Sequence, residues 1–134
     1  MLSEIDHVAI AVRDLEAAIA WYADVFGATV EHREVVASDG VEEALVNVAE
    51  SYVQLLTATR DDSPVARFLE KRGEGLHHVA YRVDDCAAAL EAVIASGARV
   101  IDRVPRPGSR GTTVAFVHPS ASFGTLIELV QDNS

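Results

Sequence analysis

His7, Gln54, His78 and Glu128 carry strong donor atoms, and their spacings nearly agree: the two histidines lie 71 residues apart (78 − 7) and the two oxygen donors 74 (128 − 54). Two imidazoles with two side-chain oxygens suit a divalent first-row ion, and an octahedral ion held by all four keeps two positions open. A single histidine on a strand says little, because most such residues are structural. The weight here lies in the repetition, which requires two copies of one unit to bring equivalent residues together.

The chain contains such copies. "IDHVAIAVRDLEAAIAWYADVFGATV" from Ile5 aligns with "LHHVAYRVDDCAAALEAVIASGARV" from Leu76. Each predicts a strand, an Asp-containing turn, an amphipathic helix, a glycine stop and a second strand. In the first copy Asp14 is the N-cap, Leu15, Ala18, Ile19, Tyr22, Val25 and Phe26 keep helical spacing, and Gly27 takes the left-handed C-terminal position. In the second, Asp84 or Asp85 opens a helix with Ala87, Leu90, Val93 and Ile94, closed by Gly97. Further strands follow, "EEALVNVA" and "YVQLLTA" in one half, "TTVAFVH" and "TLIELVQ" in the other. Between them "TRDDSPVARFLEKRGEG" predicts a linking helix from Ser63-Pro64 to Gly73/Gly75. The fold class expected is α+β: one domain over 1–134, built of tandem βαβββ modules at about 4–58 and 75–131 with a linking helix at about 63–72. Small units bury too little apolar surface alone, so the two would share a curved mixed sheet around a central metal cavity.

Strand parity then assigns faces. Val8, Ile10 and Val12 form a bulky face for the first helix, leaving His7, Ala9 and Ala11 opposite. Val79, Tyr81 and Val83 do the same for the second copy, leaving His78, Ala80 and Arg82; His77 falls on the helix side or the strand edge. Val53 and Leu55 match Ile127 and Leu129, so Gln54 corresponds to Glu128. His118, before Pro119, and His32, among charged residues, read as structural or solvated, Cys86 as inert packing, and Trp21 as core or interface.

Composition excludes several partners. Acidic residues number 21 against 11 basic, a formal net charge of −10, which disfavours nucleic acid and anionic membranes. The longest apolar run, Ala17 to Ala23, is far short of the roughly 18 residues of a membrane helix. Glu4, Asp6, Arg13, Asp14 and Glu16 stand where an export signal would be apolar, and a lone Cys86 fits a reducing compartment, so a cytoplasmic location is expected.

"IDHVAIAV" with His7, "GVEEAL" with Glu43, "YVQLL" with Gln54, "GLHHVAYRVDD" with His78, "FVHP" from Phe116 and "LIELVQ" with Glu128 together resemble the vicinal oxygen chelate superfamily, and within it the methylmalonyl-coenzyme A epimerase family. The resemblance runs from residue 5 to residue 131 and implies a glyoxalase/bleomycin-resistance-like fold. It implies His7, Gln54, His78 and Glu128 as ligands of a divalent ion, cobalt first, with manganese, nickel and zinc as the others. It also implies Glu43 as a catalytic acid/base, Glu128 as its partner, an acyl-coenzyme A substrate and a homodimer. The reaction implied is epimerisation of (2R)/(2S)-methylmalonyl-CoA by α-proton removal and return through a metal-stabilised enolate. Parity agrees on Glu43: Ala44, Val46 and Val48 make the apolar face, so Glu43 shares the other with Leu45 and Asn47. A carboxylate on a cation is a poor base, so either Glu128 loosens from the metal or a substrate group carries the second proton. Asn47, Arg67, Lys71 and Arg110 are the candidate substrate contacts, with Arg72 and Arg106 nearby in sequence. A glyoxalase I-type lactoylglutathione lyase is the nearest alternative, weighed against by Gln54 where such relatives carry a second carboxylate. A ring-cleaving dioxygenase has no need of Glu43. A non-catalytic, antibiotic-sequestering module would rely on aromatic clefts, and only 6% of residues are aromatic.

Overall fold

The computed structural model describes residues 1–134 and bears out the α+β class. In chain order the elements are β1 (Leu2–Ala11), α1 (Leu15–Phe26), β2 (Val30–Val36), β3 (Val41–Val48) and β4 (Ser51–Ala58), then α2 (Pro64–Arg72), then β5 (Gly75–Val83), α3 (Cys86–Ala95), β6 (Arg106–Pro107), β7 (Thr113–Val117) and β8 (Ile127–Gln131). That is βαβββ twice, joined by α2. The helix starts are chemical: the carboxylates of Asp14 and Asp85 and the hydroxyl of Ser63 each accept a backbone N–H of the first turn at 3.0 Å, from Ala17, Ala88 and Ala66. Each such cap stabilises its helix by about 1 kcal/mol. Asp85, rather than Asp84, is the cap of α3.

One expected strand is nearly absent. After α3 the segment around Val100 makes a single bridge to Val117, and β6 pairs only Arg106 with Val114 and Pro107 with Thr113. Pro105 and Pro107 have no N–H to give a ladder, so a longer strand cannot form. The segment instead uses the Ile101 N–H on the Phe116 carbonyl at 2.9 Å and the Asp102 carboxylate, which accepts the Phe116 N–H at 2.8 Å.

The chain divides into two compact units, Val8–His77 and a second made of Met1–His7 with His78–Ser134; β1 and β5 pass from one to the other within their length. In Val8–His77, β2, β3 and β4 are antiparallel neighbours. Ala44, Val46, Leu55 and Val12 bury one face of this sheet against Leu15 of α1, with Ala18, Ile19 and Tyr22 packed beside them. On the other face Ala11, Val41 and Leu56 pack against Val65 and Leu69 of α2. In the second unit β8 runs parallel to β5 and antiparallel to β7, which sets Glu128 opposite both Ala80 and Phe116. Val83, Ala115, Val117 and Leu129 bury the other face against Cys86, Ala89 and Leu90 of α3. Trp21 belongs to neither core: it is about half exposed and meets Tyr22 and Phe26 edge to face. No helix is long and apolar enough to cross a membrane.

Candidate functional site

His7 on β1, His78 on β5 and Glu128 on β8 meet within one unit. All three are buried, at 4%, 4% and 8% exposure. His7 Nε2 lies 3.1 Å from His78 Nε2 and 3.0 Å from Glu128 Oε1, and His78 Nε2 lies 3.1 Å from the same oxygen. Three ligand atoms at the corners of this triangle can hold one ion. Ligands at right angles around an ion with bonds of about 2.1 Å stand about 3.0 Å apart, so the triangle has the dimensions of one face of an octahedron.

The electrostatics point the same way. The Nδ1–H of His7 is given to Asp6 Oδ2 at 2.7 Å, which turns the His7 Nε2 lone pair toward the Glu128 carboxylate. Two facing acceptors repel unless a cation lies between them, a proton or a metal. Burial works against a charged His7 ring, but the hydrogen bonds to Asp6 and Glu128 raise it to about 9. Burial pushes His78 down, and there Glu128 does not restore it. Burial also works against an ionised Glu128, yet the hydrogen bonds of His7 and His78 hold it well below the usual carboxylate range. The ionised Glu128 carboxylate beside the two imidazoles is thus the group that draws a cation, a proton or a metal ion, into the triangle.

Asp6 escaped the sequence reading, and it is fully buried. Strand parity places neighbours on opposite faces, so nothing in the spacing ties it to His7. The available signal was the Asp-His dipeptide itself, a carboxylate beside a ligand-type ring where the second copy has His77. Against the cost of burial, the hydrogen bonds of His7 and Arg82, helped by Arg110, lower the Asp6 carboxyl to about 2.

Glu43 and Gln54 lie on adjacent strands of the other unit, at 2% and 7% exposure. The register sets Leu45 opposite Gln54 and Glu43 opposite Leu56, which makes Glu43 and Gln54 diagonal neighbours on one face. Gln54 Nε2 donates to Glu43 Oε1 at 3.2 Å. Its own Oε1 is buried with no hydrogen-bond partner. A lone buried amide oxygen is costly in apolar surroundings and suits a ligand to a cation.

The expected substrate contacts come from three elements, Asn47 from β3, Arg67 and Lys71 from α2, and Arg110 from a turn before β7. Asn47 is exposed and gives its amide to Glu31 at 3.3 Å; Arg67 reaches the Asp62 carbonyl at 3.1 Å; Lys71 is exposed on α2. Arg110 instead turns its Nη2 to Asp6 Oδ2 at 2.8 Å. The remaining three histidines lie elsewhere: His118 Nδ1 accepts the Ser120 N–H at the start of a 3₁₀ turn, His32 pairs with Glu34, and the His77 ring meets Phe68 of α2 in a T-shaped contact.

Residues 6–116 match the family described as the Glyoxalase/Bleomycin resistance protein/Dioxygenase superfamily. The Ethylmalonyl-CoA/methylmalonyl-CoA epimerase of Cereibacter sphaeroides is 39% identical over 133 residues, covering 98% of this chain and 99% of that protein. A solved methylmalonyl-CoA epimerase in complex with methylmalonyl-CoA and NH4+ superposes with a TM-score of 0.95 at 39% identity, over 100% of this chain and 97% of that one. Streptomyces coelicolor methylmalonyl-CoA epimerase in complex with 2-nitronate-propionyl-CoA gives 0.96 at 38% identity, again over 100% and 97%.

Proposed function

The chain belongs to the Glyoxalase/Bleomycin resistance protein/Dioxygenase superfamily, in its methylmalonyl-CoA epimerase family, and from that premise we propose that it interconverts the (2R) and (2S) forms of methylmalonyl-CoA. The observation that carries the reading is the buried, convergent set of His7, His78 and Glu128 in a chain matched end to end by such enzymes. We assign Gln54, with its partnerless buried oxygen, as the fourth ligand. The ion is divalent, cobalt first, with manganese, nickel or zinc as the others. When bound it supplies Lewis acidity where negative charge grows on the thioester oxygen.

The chain's own residues move the protons. Glu43 takes the α-proton: the C–H bond breaks, its electron pair delocalises toward the thioester oxygen, and an O–H bond forms on Glu43. The Gln54 amide fixes the orientation of the Glu43 carboxylate through Oε1. Glu128 is the second acid/base on the opposite face. Ionised in this site, it must first loosen from the ion and take a proton from solvent before that O–H bond breaks to form the new C–H bond, or a carboxyl group of the substrate carries the proton instead. Asn47, Arg67 and Lys71 supply exposed polar and cationic groups for the coenzyme A tail, while Arg110 is committed to Asp6. The chain works as one domain of two modules, as a homodimer, in the cytoplasm, feeding a propionate-type route.

Metal-loaded protein given one epimer in deuterated water should exchange the α-proton and produce the other epimer. No exchange with any of cobalt, manganese, nickel or zinc would sink the proposal. Glu43→Gln should lower exchange by about 10²–10⁴-fold with metal still bound; retained activity would remove Glu43 from the mechanism.

A further inference from the structure

A fully buried carboxylate survives only if its oxygens are matched by donors, and Asp6 is matched on both. Oδ2 accepts from His7 Nδ1 at 2.7 Å and from Arg110 Nη2 at 2.8 Å; Oδ1 accepts from Arg82 Nη2 at 2.6 Å and Nε at 3.2 Å. With both oxygens held, the carboxylate cannot rotate, and the His7 ring is fixed with Nε2 toward His78 and Glu128. Arg82 arrives from β5, but Arg110 comes from a turn 104 residues away in sequence. That turn is built at a cost. Arg110 sits in the left-handed region at φ 57°, which costs a non-glycine residue about 1 kcal/mol or more. Gly108 precedes it where an added Cβ would stand 2.7 Å from both Thr112 Oγ1 and Val114 Cγ1. Backbone strain and a close approach together deliver one guanidinium to one carboxylate.

We infer that Asp6, locked by Arg82 and Arg110, is a positioning residue for the ligand His7, and that the turn carrying Arg110 thereby sets how tightly the site holds its ion. The inference rests on the divalent-ion reading above. Outer partners of a ligand histidine fix its tautomer and raise its basicity, and their loss typically weakens metal binding by about 10–100-fold.

The test titrates Co2+ into chelator-treated full-length protein, followed by calorimetry and by the visible absorption of the bound ion. Asp6→Asn should weaken binding about 10–100-fold and shift the absorption bands. Arg110→Met should weaken it in the same sense, and Arg110→Lys should recover part of the loss. Because Arg110 acts through Asp6, the double variant Asp6→Asn/Arg110→Met should bind no more weakly than Asp6→Asn alone. Binding by Asp6→Asn within about twofold of the parent with an unchanged spectrum would overturn the inference, as would additive losses in the double variant. If Asp6→Asn fails to fold by circular dichroism, the Arg110→Met and Arg110→Lys pair decides: loss and partial rescue support the lock, equal affinity overturns it. A parent protein that binds no Co2+, Mn2+, Ni2+ or Zn2+ overturns the ion reading itself, and this inference with it.

Discussion

His7 and His78 hold equivalent places in the two copies, yet their surroundings differ in kind. His7 donates to the buried Asp6 carboxylate, whereas the His78 ring makes a T-shaped contact with Phe116, ring centroids 5.4 Å apart, and the Arg106 guanidinium lies over the Phe116 ring. The difference shows in titration. In metal-free protein the charged His7 ring, raised from 6.5 to about 9, contributes stability that is fully present below pH 6.5 and is lost as pH rises through about 9. Melts of chelator-treated protein across that window should show a falling Tm, and His7→Gln should flatten the profile; an unchanged slope in the variant would assign the effect elsewhere. His7, His78 and Glu128 were legible from parity because period-two alternation fixes which face a ligand shares with its neighbours. Asp6 was not, since its role depends on a side chain reaching around its own strand and on two arginines distant in sequence.

At the scale of elements, local chemistry and apolar pattern carried most of the fold. Asp14, Ser63 and Asp85 mark helix starts through side-chain oxygens, and alternation in β4 and β8 separates Leu55 and Leu129 from Gln54 and Glu128. The segment after α3 failed as a strand because its ladder donors are removed by proline and its pairing is supplied by Asp102, a tertiary contact no local pattern encodes. Two substitutions probe these elements. Leu55→Ala empties a fully buried site under α1 and should lower unfolding free energy by about 2–5 kcal/mol in a denaturant titration. Gly108→Ala forces a methyl against Thr112 and Val114 and should cost about 1–3 kcal/mol; a neutral result would show that the turn yields and that Gly108 is not required there.

For the whole molecule, a net charge of −10 describes the surface and interior together, while individual sites are decided by pairing. Asp6 and Glu128 are both buried, and each is surrounded by arginine or imidazole. An ion bound at the His7, His78 and Glu128 set should stabilise the fold by mass action, about 2.7 kcal/mol at a free concentration one hundred times Kd. A chelator should therefore lower Tm by several degrees, and Glu128→Gln should shrink that shift; a Tm indifferent to chelator would separate the triangle from ion binding. The single cysteine bears on how such titrations can be run. Cys86 opens α3 on the face packed against the sheet, fully buried, with its thiol pushed up to about 11 by burial and nearby carboxylates, so it stays protonated and out of reach. Apoprotein can then be prepared without thiol reductants, which are themselves soft ligands for cobalt, nickel and zinc. A cysteine introduced on the surface would also be the one thiol able to take a fluorescent label, giving a reporter at a chosen position against a silent background.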